Sequence, residues 1–338
     1  MRSAFRTETL RSITYSLGRF LAIAAIVALG TGFYAGLRMT APDMKLAADE
    51  FYDGTALMDI RVVSTLGLTD GDLAALRQVE GVEAVMGAYE TDVMATIAGE
   101  QYATRVHSLP DAARDSDTSD GVHALSQDAG YLNRPILVEG SWPENEGECV
   151  LSADLVVNGS TSIGDAVVIT EGVGDVDETL ATRTYTVVGY VSSSYYATSS
   201  SMGTTTLGTG AIQEYLYVPE SDFDDDLPYT EVFIAVRGAA GEHASSDAYD
   251  QRVAEVVDRI QAIAPEREQA RVDGLKADAQ KELDDGRAEY ERQKADAQAQ
   301  LDEAERRLDE AAATIARSEQ DLADGQASYE RGVSELAG

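Results

Sequence analysis

One uninterrupted apolar stretch, residues 20–37, constrains this chain more than any other feature of its sequence. No charged residue lies between Arg19 and Arg38. A helix of about 18 apolar or small residues, rising about 1.5 Å per residue, comes close to the hydrocarbon thickness of a bilayer. The stretch therefore predicts a transmembrane helix in contact with the lipid bilayer. A cleaved signal peptide is the alternative interpretation, with residues 34–36 as a poor cleavage site.

The charges before this stretch predict its direction across the membrane. The preceding charged residues are Arg2, Arg6, Arg11, Arg19 and Glu8. Cytoplasmic flanks of membrane helices carry the excess of Lys and Arg, so we expect the N-terminus in the cytoplasm and the chain after Arg38 outside the plasma membrane. Within residues 1–19, apolar side chains recur at helical spacing, which predicts an amphipathic cytoplasmic leader lying at the inner membrane surface.

The predicted membrane helix also has a face of small residues. Ala24, Ala28, Gly32 and Gly36 recur every four positions and end in a GxxxG pattern. Small residues at this spacing let a second membrane helix approach closely. We therefore expect these four residues to pack against further membrane helices of the same or a second protein.

The charge of the chain excludes one class of partner. The formal net charge is -34, and the isoelectric point is near 4.2. Nearly all of the negative charge follows Arg38, and a surface this acidic repels phosphate, so nucleic-acid binding is not expected. The single cysteine, Cys149, lies in a hydrophobic strand pattern and is expected to be buried without an internal disulfide.

The outer part of the chain reads as an α+β domain over residues 43–265. Residues 43–107 and 229–265 supply a β-α-β part, and residues 130–220 read as strands and turns that form a β-rich insert. The first part is therefore expected to be interrupted by the second. Residues 192–210 are rich in Ser, Thr and Gly, which predicts a long contact loop. An amphipathic helix is expected to close the domain at Pro265.

Beyond this domain, residues 266–338 carry a heptad pattern. Large residues recur every seven positions as a seam of Leu301, Leu308, Ile315, Leu322, Tyr329 and Leu336. Small residues follow three positions after each of the first five, at Ala304, Ala311, Ser318, Gly325 and Gly332. This pattern predicts a closely packed coiled coil, and an isolated charged helix is the alternative. We expect the coil to be truncated at Gly338 and the chain to be the front of a longer protein.

The sequence offers no constellation that carries chemistry. The three histidines, His107, His123 and His243, are scattered near predicted loops and form no HExxH motif or Cys/His cluster. The chain holds neither a P-loop nor a Gly-x-Ser-x-Gly elbow. We therefore assign no catalytic, cofactor-binding or metal-binding residue, and we predict that the chain is not an enzyme and needs no cofactor.

Short motifs in fixed order carry a family resemblance. They are Asp59-Ile60-Arg61-Val62, Gly67-Leu68-Thr69, Val138-Glu139-Gly140-Ser141-Trp142-Pro143, Glu148-Cys149-Val150-Leu151, Ile163-Gly164-Asp165 and Tyr185-Thr186-Val187-Val188-Gly189-Tyr190-Val191. Together with the charged leader and the span, they resemble the extracytoplasmic MacB-type core domain of FtsX-like permeases over residues 11–265. The tail departs from the simple MacB-type plan and is more similar to coiled-coil-bearing permeases of Gram-positive bacteria.

This resemblance implies a permease subunit of an ABC transporter, driven by a separate cytoplasmic ATPase subunit and working in export or in mechanotransmission. The face of small residues on the membrane helix would receive the movement that ATP hydrolysis drives in the partner subunit. The heptad helix, about 70 residues and on the order of 100 Å long, would carry it to a cell-wall or other extracytoplasmic protein. The alternative is a single-pass membrane-anchored adhesin or scaffold that acts through its coiled coil.

Overall fold

The structure, a computed structural model, describes residues 14–111, 130–154, 161–196 and 202–336, with Glu8, Thr9 and Arg11. Its helices are α1 Leu17–Gly54, α2 Asp70–Arg77 and α3 Asp247–Leu336. Its strands are β1 Ile60–Leu68, β2 Val82–Ala88, β3 Glu90–Ile97, β4 Glu100–Leu109, β5 Ile136–Gly140, β6 Glu148–Ser152, β7 Ala166–Gly172, β8 Thr184–Ser192, β9 Glu214–Pro219 and β10 Tyr229–Val236. The prediction of an α+β fold with a long apolar N-terminal helix and a long C-terminal helix is confirmed. The chain divides into two compact units, Met1–Arg267 and Glu268–Gly338.

Helix α1 is longer than the predicted span. It continues without a break into the segment after Arg38 and includes Pro42. Beyond Pro42, residues 44–48 (Met, Lys, Leu, Ala, Ala) all favour helix, and the helix continues to Gly54 with Thr55 as its C-cap. In the described part of the chain, α1 is the one helix that is long and apolar enough to cross a membrane, and none of its most apolar segment is buried.

The small sheet has the strand order β1-β10-β2, with β10 antiparallel to both neighbours. Helix α2 joins β1 to β2, and its start is fixed by the backbone N–H of Thr69, which donates to Asp72 Oδ2 at 2.8 Å. Leu73 and Leu76 of α2 and Val256 of α3 pack with strand residues in one buried cluster. The predicted β-α-β opening, completed by a late strand and helix, thus forms one layered unit.

The large sheet holds seven strands in the order β5-β8-β6-β9-β4-β3-β7, and a further pairing of β8 with β7 closes it on itself. Strand pairs β4–β9 and β6–β8 are parallel, and the other pairs are antiparallel. The core includes Cys149, which is fully buried as expected.

Two boundaries differ from the sequence-based division. Residues 90–107, placed in the β-α-β part, form β3 and β4 of the large sheet, because the chain passes from one sheet to the other at the single residue Tyr89. The predicted end of the closing helix at Pro265 is wrong, since α3 runs through this proline. Proline removes one backbone hydrogen bond, and the strong helix formers after it carry the helix on.

Candidate functional site

The small-residue face of α1 is open. Ala24, Ala28, Gly32 and Gly36 are all exposed, and a Cβ placed on either glycine would meet nothing within 4 Å. The hydroxyl of Thr31 donates to Val27 O at 2.7 Å and therefore stays within the helix. The face is thus free of polar side chains that would need a partner, and its role in helix packing stays a prediction.

The C-terminal end of α1 is fixed to the folded domain by polar contacts. Thr55 is fully buried, and its Oγ1 lies 2.7 Å from Ser194 Oγ, beside the large sheet. Asp49, nearly two turns earlier in the helix, lies 2.7 Å from His243 Nδ1 and accepts the N–H of Ala244 at 3.1 Å. Asn133 N–H donates to Ala56 O at 2.9 Å. The helix therefore cannot move at this end without moving the domain.

The heptad seam of the second unit is exposed along its whole length. Its six large side chains, Leu301, Leu308, Ile315, Leu322, Tyr329 and Leu336, are between 60% and 91% exposed. Ion pairs between Arg and Glu at helical spacing, such as Glu303 with Arg307 at 3.0 Å, support the charged faces. The coiled coil itself stays a prediction.

A cluster of charged residues lies between the two sheets. Arg61 of β1 donates through Nε to Glu231 of β10 at 2.6 Å and through its Nη2 to Glu90 of β3 at 2.7 Å. Arg105 of β4 makes a bidentate pair with Asp92, at 2.7 and 3.0 Å. The Glu231 side chain is 0% exposed. A carboxylate this deeply buried needs paired charge, which Arg61 supplies by direct contact while Arg105 adds positive charge nearby.

His107 of β4 completes this cluster. Its Nδ1 lies 3.9 Å from Glu231 Oε1, and its Nε2 lies 2.5 Å from the hydroxyl of Tyr196. Burial, followed by the nearby positive charges of Arg105 and Arg61, lowers the pKa of His107 to about 3. The imidazole is therefore neutral at physiological pH. Burial and then the neighbouring Glu90 raise the pKa of Glu231 to about 7.

Aromatic rings enclose His107. Its ring stacks on Tyr217 at 5.1 Å between centroids and meets the edges of Tyr195 and Tyr196 at 5.4 and 5.7 Å. Tyr195 and Tyr196 belong to a short 3₁₀ helix, Ser194–Tyr196. The prediction of a contact loop over residues 192–210 is thus wrong at its start, because these tyrosines are drawn into the core, while residues 197–201 lie outside the described residues.

The histidine prediction needs one correction. His107 was expected near a loop, but it lies within β4 and is buried. His243 is an exposed turn residue that faces Asp49, and His123 lies outside the described residues. Arg61 and Glu231 interrupt otherwise apolar strand patterns, and this irregularity was the one signal in the sequence that could have pointed to the cluster.

No family model and no curated protein matches this chain. Among solved structures, the chain is similar to the extracellular domain of the ABC-type transporter YknZ from Gram-positive bacteria, with 13% identity, covering 54% of this chain and 82% of that chain at a TM-score of 0.28. It is also similar to the periplasmic region of MacB from Actinobacillus actinomycetemcomitans, with 11% identity, covering 60% and 76% of the two chains at a TM-score of 0.30.

Proposed function

We propose that this chain is a permease subunit of an ABC transporter of the FtsX/MacB type, with its N-terminus in the cytoplasm and its domain outside. The observation that supports this most is the fixed end of α1, where Thr55 and Asp49 tie one continuous helix to the domain. A separate cytoplasmic ATPase would displace this helix through its small face. The domain would follow and drive export, or pass the motion to a cell-envelope partner through the heptad seam.

Coupling in this proposal needs a stiff helix between membrane and domain. The chain itself supplies no catalytic group to the proposal, and ATP hydrolysis belongs to the partner subunit. Lys45 and Ala47 lie in α1 before the fixed end, so replacing both by glycine would soften the helix there without touching the contacts of Thr55. The matched control replaces Met44 and Leu46, which are exposed in the same turn, by alanine.

The test uses full-length protein in nanodiscs with the ATPase that co-purifies with it. A fluorophore attached to Glu171→Cys, at an exposed position, reports movement of the domain. The label is specific for this position because the native Cys149 is buried and unreactive. We expect an ATP-dependent signal that the alanine control keeps and the Lys45→Gly/Ala47→Gly variant loses. Absence of a bound ATPase and of any ATP-dependent signal would instead favour the anchored scaffold, which the exposed seam also fits.

A further inference from the structure

Three potential metal ligands converge in the charged cluster between the sheets. Glu90, His107 and Glu231 each place one ligand atom so that all three atoms lie within 4.8 Å of one another. Two of these groups carry a buried oxygen without a hydrogen-bond partner, Glu90 Oε2 and Glu231 Oε1. Buried acceptors of this kind are rare and call for a partner. We propose that Glu90, His107 and Glu231 bind a divalent transition-metal ion of the Zn²⁺ class.

Arg61 does not occupy the two unpartnered oxygens, Glu90 Oε2 and Glu231 Oε1, which we propose as metal ligands. It binds Oε2 of Glu231 at 2.6 Å and Oε1 of Glu90 at 2.7 Å, which are the opposite oxygens of the two carboxylates. Arg105 approaches Glu90 Oε2 only to 3.6 Å, beyond hydrogen-bond distance. With Asp92, the cluster holds three carboxylates and two guanidinium groups. Its negative charge therefore exceeds its positive charge, which favours a bound cation.

The histidine suits this role in position and orientation. His107 Nδ1 lies 3.9 Å from Glu231 Oε1, and two ligands of a tetrahedral Zn²⁺ at about 2.0–2.1 Å lie roughly 3.3 Å apart. This pair would have to close by about 0.6 Å, and ligand atoms that lie as far as 4.8 Å apart would have to close by more. The other ring nitrogen is held by the hydroxyl of Tyr196 at 2.5 Å. Metal-binding histidines are commonly oriented by such an outer contact. One imidazole with two carboxylates favours Zn²⁺ over Ca²⁺ or Mg²⁺.

Such an ion would join the two sheets. Glu90 and His107 belong to the large sheet, whereas Glu231 belongs to the small sheet. Binding to the folded protein alone stabilises it by mass action, so the ion would act as a clip between the sheets. Three protein ligands leave a fourth position for water, as in open zinc sites.

The test begins with tag-free full-length protein in detergent, stripped with EDTA and dialysed against buffered Zn²⁺. We expect one tightly held Zn²⁺ per chain, a higher melting temperature, and visible d–d absorption bands when Co²⁺ replaces Zn²⁺. Glu231→Gln keeps the shape of the side chain, and we expect it to lower Zn²⁺ affinity by at least about tenfold and to alter the Co²⁺ spectrum, since even outer-shell changes cost this much. His107→Gln should do the same.

Two variants serve as controls. Glu214→Gln changes a buried glutamate of β9 that also carries an unpartnered oxygen, and His243→Asn changes an exposed histidine. Both should bind Zn²⁺ as the wild type does. The proposal is overturned if folded wild-type protein takes up no Zn²⁺ and gives no Co²⁺ spectrum, in which case the two free oxygens hold ordered water. It is also overturned if Glu231→Gln binds Zn²⁺ with unchanged affinity, since the acidic surface is then the binding site.

Discussion

Replacing Arg61 by methionine tests how strongly the buried charge of Glu231 depends on its guanidinium partner. The two side chains are joined at 2.6 Å, and Glu231 is 0% exposed, so the substitution leaves a carboxylate inside the protein without its hydrogen-bonded counterion. Removing one partner of a buried ion pair costs about 3–5 kcal/mol. Because the Arg61 side chain is 34% exposed and water can fill part of the space, we expect the lower end, about 3 kcal/mol.

The fluorescence of Trp142 measures this loss. It is the only tryptophan of the chain and packs in a buried cluster with Tyr215 and Tyr217 of the large sheet. For a domain of this size, 1 kcal/mol shifts the melting temperature by roughly 2–4 °C, so Arg61→Met should melt about 6–12 °C lower in EDTA. A matched control is Arg183→Met, whose ion pair with Asp177 is also 2.6 Å long but exposed. Water screens that exposed pair, so Arg183→Met should melt close to the wild type.

A second substitution separates lost charge from lost packing. Adding Glu231→Gln to Arg61→Met removes the uncompensated charge, so the double variant should melt above Arg61→Met alone. The reasoning is refuted if Arg61→Met melts within about 2 °C of the wild type, a shift under about 1 kcal/mol. It is refuted equally if the double variant melts below the single one, because packing of the Arg61 stem would then carry the effect.

Three further changes test other parts of the chain. Gly140→Ala places a Cβ 2.3 Å from Val188 O at a φ of +89°, so it should lower the melting temperature far more than Gly164→Ala, which has a φ of +98° and open space. Burial raises the pKa of Glu214 from 4.5 to about 7. The folded state therefore holds the proton more tightly, and wild-type stability should fall as pH rises through this range, a loss that Glu214→Gln removes in thermal melts. Leu308→Glu should lower the helical circular-dichroism signal of full-length protein if a partner helix covers the seam, and an unchanged signal would favour the isolated helix.

The elements of the fold follow closely from local sequence patterns. Apolar and β-branched runs bounded by turn residues predict a β-α-β part and a β-rich insert, and strands form in both of these segments. The capping residues Thr69 and Asp72 likewise mark the start of α2. Local pattern does not determine which sheet a strand joins. Strands β3 and β4 were therefore placed with the wrong partners in the sequence-based division.

The charged cluster was not predicted because its members meet only through tertiary structure. Glu90, His107 and Glu231 come from three strands, and Tyr196 comes from a segment whose composition is typical of a loop. Glu90 and His107 alone each fit a solvent-facing position of a strand, and Glu231 alone is only one irregularity in an apolar strand pattern. Only the pairing of β10 between β1 and β2, and the approach of β4, turns these positions inward.

The placement of the cluster bears on how motion could pass through the domain. The chain crosses between the sheets at Tyr89, whose N–H donates to Ser108 Oγ at 3.0 Å, while Glu90 N–H donates to Thr230 Oγ1 at 2.7 Å. A single-residue connection would act as a hinge if nothing else held the sheets together. Helix α1 is held at Ser194 beside the large sheet and, through Asp49, at His243 and Ala244 after β10, so on the proposed function its displacement would act on both sheets. The ion pair between Arg61 of the small sheet and Glu90 of the large sheet bridges this joint directly, so on the proposed function it would help the two sheets to move together.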